Sequence, residues 1–164
     1  MKAILACILI LCLIIGTLCF KGHLQQSKER AFYYCNMAMD YSGDNPSVLA
    51  ENRADAPDGS LQEILELYLS GPLSQNLRSP FPAHLKLIGV SQTGETIYLT
   101  FSRELATLTG LDLTMACCCI TLTTLALTDA QQVEIRTVTD LLDGQRSITM
   151  RKDTLLLLDN TNEE

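Results

Sequence analysis

The stretch from Ser60 to Phe101, SLQEILELYLSGPLSQNLRSPFPAHLKLIGVSQTGETIYLTF, predicts a short capped helix, a Gly-Pro stop, a Pro-bounded loop and a β-hairpin. Ser60 and Glu63 have capping-box spacing: the hydroxyl can accept from the third backbone N–H, and the carboxylate can reach back to the cap. Leu61, Ile64, Leu65, Tyr68 and Leu69 fall at i, i+3, i+4, i+7 and i+8, one apolar stripe. Gln62, Glu63 and Glu66 take the other side. Gly71 can end the helix in the left-handed region, and Pro72 cannot continue it. Leu73 to Ala83 reads as a loop fixed by Pro80 and Pro82. Leu85 to Val90 then predicts a strand, Thr93-Gly94 a turn, and Thr96 to Phe101 the returning strand. On that strand Ile97, Leu99 and Phe101 share one face and Thr96, Tyr98 and Thr100 the other, as in an antiparallel pair with one buried and one wetter side.

Upstream of this segment, Ala31-Phe32-Tyr33-Tyr34-Cys35 is aromatic and strand-like. Asp40 to Gly59 is rich in Asp, Asn, Ser, Gly and Pro and reads as loop, interrupted by Val48–Ala54 as an edge strand. Downstream, Leu111 to Thr128 is apolar nearly all round, too long for a typical strand, and suits a helix buried against a sheet. A second membrane span is its rival, and five threonines and Asp112 weigh against that. Val133–Val138 reads as a strand, Asp143-Gly144 as a turn and Ser147–Met150 as extended chain. The order β, β, α, β, β, α, β, β predicts an α+β domain with one antiparallel or mixed sheet and two helices packed on one face.

Residues 3–20, AILACILILCLIIGTLCF, carry no charge. Eighteen residues at about 1.5 Å each span roughly 27 Å, near the hydrocarbon thickness of a bilayer. A cleaved signal wants a shorter apolar run and an A-x-A-like site, and a lipid-modified Cys19 wants a small residue where Leu18 stands. The expected organisation is a membrane anchor or signal segment over 1–20, a polar connector over 21–30, one domain over 31–158 and a frayed tail over 159–164. Lys2 precedes the span and Lys21, Lys28 and Arg30 follow it, so charge alone does not orient it. Residues 31–164 hold 8 basic and 18 acidic residues, a net of −10. That balance argues against nucleic acid and against peripheral binding to anionic lipid, both of which need clustered Lys and Arg.

Chemistry-bearing patterns are sparse. The four cysteines beyond the apolar run, Cys35, Cys117, Cys118 and Cys119, show no C-x-x-C or His-containing metal spacing. Three adjacent cysteines on a helix point about 100° apart and cannot all grip one ion. They are expected as buried small apolar residues, with a Cys35 pairing to one of the three left open should the fold bring them together. His23 lies in the connector and His84 in a Pro-flanked loop, and neither has a nucleophile or carboxylate in pattern with it. No catalytic, cofactor-binding or metal-ligating residues are therefore expected, and no binding residues can be named.

The order Leu69-Ser70-Gly71-Pro72, then Leu77-Arg78-Ser79-Pro80, then Pro82 leading into Leu85-Lys86-Leu87, then a hairpin ending in Tyr98-Leu99-Thr100-Phe101-Ser102, resembles the GerMN domain of bacterial sporulation and spore-germination proteins. An arginine-bearing strand after an acidic residue, as in Glu51-Asn52-Arg53, is similar to what that family places there. The resemblance covers about Phe32 to Leu158, and Thr139-Asp140-Leu141-Leu142 departs from the family pattern before Asp143-Gly144. It implies an α+β fold and a non-enzymatic interaction or assembly role at the extracytoplasmic face of the cell membrane. Envelope or sporulation-complex proteins would be its partners, and self-association stays open. An envelope hydrolase or a ligand-sensing domain is the alternative. Mass measurement of the membrane-extracted protein is expected to find residues 3–20 retained; a mature N-terminus near residue 20, or a diacylglycerol on Cys19, would overturn that.

Overall fold

The structure, a computed structural model, describes residues 29–38 and 45–155. The expected anchor over 3–20, Cys19, His23 and the tail over 159–164 lie outside the described residues. Seven strands, two α-helices and two 3₁₀ turns are described. In chain order they are β1 (Arg30–Asn36), β2 (Val48–Arg53), α1 (Leu61–Leu69), β3 (Leu77–Arg78), β4 (Leu87–Thr93), β5 (Thr96–Phe101), α2 (Gly110–Leu127), β6 (Gln132–Thr137) and β7 (Ile148–Arg151). The 3₁₀ turns are Arg103–Thr107 and Lys152–Thr154.

The α+β class holds, but the strands form two sheets rather than one. The first has the order β2-β1-β3 and the second β4-β5-β6-β7. The break has a local cause. Within the loop expected from Leu73 to Ala83, Leu77-Arg78 pairs briefly with β1, as Cys35↔Arg78 and Asn36↔Leu77. Pro80 and Pro82 follow at once, and proline cannot donate to a ladder. The chain leaves the first sheet there, and β4 starts the second.

In that second sheet β4 and β5 form the expected hairpin, starting at Leu87 rather than Leu85. Thr93 pairs with Thr96, so the turn residues are Gly94-Glu95 and not Thr93-Gly94. Gly94 has φ +57°, which a glycine tolerates best. A register shift between Leu87 and Gly89 turns Ile88 out to solvent. β5 and β6 run parallel, which requires a long crossover, and α2 provides it. Ile97, Leu99 and Phe101 of β5 and Val133 and Ile135 of β6 are buried. The opposite face carries polar pairs, Gln132 Nε2 to Thr96 Oγ1 at 2.6 Å and Arg136 Nε to Thr100 Oγ1 at 3.0 Å.

The helices do not share one sheet face. α1 lies against β4, with the Tyr68 ring against Phe32 and Tyr34 of β1 at centroid distances of 5.4 and 5.0 Å. Its cap is as the sequence predicts: Ser60 N donates to Glu63 Oε2 at 2.7 Å and Glu63 N to Ser60 Oγ at 3.3 Å. Gly71 follows with φ +99°. α2 lies against β1 of the first sheet and against β6 and β7 of the second. Leu113, Ala116, Cys117 and Ile120 enter the main core, whereas Cys119 and Leu122 join Cys35 and Val48 in a second cluster. Helix α2 is long and apolar enough to cross a membrane, and half of it is buried inside the domain between these partners.

Leu65 is 2% exposed, while Glu66 faces solvent and accepts from Gln62 Nε2 at 2.9 Å. In urea unfolding, Leu65→Ala should cost about 2–5 kcal/mol and Glu66→Ala under about 0.5 kcal/mol. Equal effects would contradict the packing of α1.

Candidate interaction surface

Among the described residues strand β2 is an edge strand, as the sequence predicts for Val48–Ala54, hydrogen-bonded to β1 on one side only. Its side chains alternate. Leu49, Glu51 and Arg53 stand across from Tyr34, Phe32 and Arg30, on the face that meets α1. Ala50 and Asn52 are exposed on the other.

Glu51 and Arg53 are both buried, and each is compensated. Arg53 is 4% exposed. It grips Asp55 through both Nε and Nη2 at 2.7 Å, and its Nη1 donates to the Gly71 carbonyl at 3.4 Å. The guanidinium carbon stands 5.7 Å from the Phe32 ring centroid, a cation–π contact. Glu51 lies 3.9 Å from Arg53 Nη1 and accepts from the backbone N–H of Leu73 and of Ser74 at 3.1 and 2.7 Å. Burial alone would push the Glu51 carboxyl up, but hydrogen bonds from Ser74 and the Leu73 backbone, helped by the Arg53 charge, hold it below its ordinary value. The Arg53 guanidinium bonded to Asp55 does the same for that exposed carboxylate. A second arginine fastens the loop between β2 and α1: Arg30 donates to the Ala56 carbonyl at 3.0 Å and to Pro57, and pairs with Asp58 at 3.1 Å.

The clamp has a consequence for the surface. By holding the backbone of Leu73 and Ser74, Glu51 seats the segment after α1 beside the edge strand, and Leu73 is left 69% exposed there. Reading the sequence located the edge but missed Leu73. The Gly71-Pro72 stop announced a turn, and only the carboxylate on β2 says where that turn lands.

The other residues weighed from sequence fall elsewhere. Glu63 serves the α1 cap, and Glu66 sits on the solvent face one turn on. His84 is exposed in a turn closed by Leu85 N to Pro82 O at 3.3 Å, with φ +64°. Cys35, Cys117 and Cys119 are buried free thiols, and Cys118 is half-buried. Among the described residues no three His, Cys, Asp or Glu side chains gather where an ion could be held. A cavity of about 170 Å³, bounded by Cys35, Arg78, Phe81, Asp112 and Met115 among others, opens beside β3. It is small beside the roughly 300–1,000 Å³ of ordinary small-molecule sites.

Because the Glu51 carboxylate is held below its ordinary value, its stabilising contribution is present above the unfolded-state pKa, about 4.3, and is lost as pH falls through the folded value. Glu51→Gln should cost about 2 kcal/mol near neutral pH, and the gap from wild type should shrink below about pH 4. Thermal unfolding across that range checks it, and a pH-independent gap would overturn it.

The family model for sporulation and spore germination, Germane, matches residues 32–145, from β1 to the Asp143-Gly144 turn. No curated protein sequence matches the chain. The first GerMN domain of the sporulation protein GerM from Bacillus subtilis superposes with a TM-score of 0.55 at 21% identity, over 67% of this chain and 82% of that one. The tandem GerMN domains of the same protein give 0.50 at 17% identity, over 72% of this chain and 40% of theirs. The chain spans less than half of that tandem structure. With the family model covering more than half of its length, the chain belongs to the GerMN family of sporulation and spore germination.

Proposed function

We propose that this chain is a non-enzymatic, membrane-anchored assembly module of the cell envelope that acts in sporulation or spore germination by binding another protein. The observation that carries the reading is the open edge of β2, with Ala50 and Asn52 facing solvent and Leu73 exposed beside it. An edge strand presents unpaired backbone groups that can accept a further strand, and a neighbouring apolar side chain adds a contact that favours one partner over another. Burial of Glu51 and Arg53 beneath that edge supports the same role, since the strand is held in place before a partner arrives. The anchor and an extracytoplasmic domain rest on residues 3–20 and on the family. The partner suited to this surface is an extended segment of an envelope or sporulation-complex protein.

A photocrosslinking amino acid placed at Asn52 or Leu73 in sporulating cells should capture a defined partner, and the same group at Glu66 should not. Equal capture at all three positions would overturn the assignment of the surface. Turnover by the purified chain that one side-chain change abolishes would overturn the non-enzymatic reading.

A further inference from the structure

The contiguous cysteines of α2 do not meet the same surroundings. Cys117 enters the main core, Cys118 is half-buried, and Cys119 joins Cys35 of β1 in the second cluster with Val48 and Leu122. The register between strand and helix explains which of the three meets Cys35. β3 covers only the last two residues of β1, so Tyr33 has no β3 partner, and its N–H donates instead to Thr123 Oγ1 of α2 at 2.9 Å. From that tie, two residues along the strand advance about 6.6 Å and four residues back along the helix about 6 Å. Those steps lead to Cys35 and Cys119. There the two cysteine side chains share one buried cluster, closed by Val48 and Leu122.

We propose that Cys35 and Cys119 are a disulfide-forming pair that joins β1 covalently to α2 in an oxidising compartment. The compartment rests on the extracytoplasmic placement proposed above; the pairing rests on the fold alone. Cys35 also lines the cavity beside β3, which Cys119 does not, so it is the member of the pair nearer solvent. Arg78, its cross-strand partner, and Asp112 face the same cavity. The neighbouring Cys119 thiol and the Arg78 charge draw the Cys35 thiol below its ordinary value against burial and Asp112, and burial pushes Cys117 up to about 12. Cys35, which lines that cavity beside Arg78 where Cys119 does not, is the nucleophile and reacts as its thiolate. Its thiolate attacks one sulfur of the oxidant RSSR and expels RS⁻. Cys119 then loses its proton and attacks the Cys35 sulfur of the mixed disulfide, and the second RS⁻ leaves. The protein gives up two electrons and two protons, and RSSR becomes two RSH.

The test uses the full-length chain, reduced in detergent and then treated with oxidised glutathione, followed by thiol alkylation and peptide mass mapping. The expected result is a Cys35–Cys119 cross-link with loss of two hydrogens, Cys117 recovered as a thiol, and a melting temperature that rises and returns with dithiothreitol. Cys118→Ala should form the same link, and Cys119→Ala should stall as a glutathione adduct on Cys35. A stable adduct on Cys35 of the wild-type chain, a link to Cys118, or two thiols left free would overturn the pairing. Alkylation after acid quenching of sporulating cells separates the two readings. Thiols that link in detergent but are reduced in cells would overturn the extracytoplasmic placement and leave the pairing standing.

Discussion

A helix of eighteen residues with apolar side chains around most of its circumference cannot rest on one surface, and α2 is the element whose satisfaction shapes this domain. Between Ala116 and Thr124 every residue except Cys118 is buried. One side of the helix reaches the main core with Ala116, Cys117 and Ile120, and another meets Cys35 and Val48. Two sheets answer that need where one could not. The helix also carries its own polar cost: Thr124 returns its hydroxyl to the Ile120 carbonyl at 2.8 Å, and Thr123 receives the Tyr33 N–H. Of the threonines that make a membrane span expensive, Thr123 fits the helix to β1, Thr114, Thr124 and Thr128 bond back along the helix, and the Thr121 hydroxyl is buried without a partner among the described residues.

The first sheet is small, and it is held less by its ladder than by side chains that reach out of it. Tyr34 Oη donates to the Tyr68 carbonyl at 2.8 Å, and Tyr68 Oη donates back to the Tyr33 carbonyl at 2.7 Å. The two rings meet between these bonds, and Phe81 closes on Tyr68 edge-on at 5.0 Å. Together with the Arg53 grip on Asp55 and Gly71, these contacts fix the end of α1 to β1 and β2. An exposed strand edge and a fixed strand position are therefore compatible in this fold.

Local chemistry was legible in the sequence, and long-range pairing was not. Ser60, Glu63, Gly71 and the alternation from Thr96 to Phe101 each act within a few residues, so their pattern identifies α1 and the hairpin. The division into two sheets depends on which distant strand lies beside β1, and no short pattern encodes that. Leu77-Arg78 pairs over two residues between a turn and two prolines, too short to register as a strand. The same limit applied to the surface. Val48–Ala54 read as an edge from its setting, whereas the landing of Leu73 on it needed a carboxylate twenty-two positions away. Three adjacent cysteines looked equivalent until the Tyr33–Thr123 bond set the phase of the helix against the strand.

The same bond bears on the order in which the chain can fold. β1 and β2 are complete early in synthesis, but a lone two-stranded ribbon is marginal in water. The β3 rung adds only two residues, and the backbone N–H of Tyr33 waits for a hydroxyl that leaves the ribosome ninety positions later. The hairpin of β4 and β5, by contrast, needs only its neighbours in sequence. The hairpin can therefore form from its own neighbours, whereas the side of β1 that meets α2 is completed only when the crossover helix arrives. Pairing across ninety positions is the kind of long-range closure that slows folding. Until α2 docks, the Tyr33 N–H and the Cys35 side chain of the first strand stay uncovered.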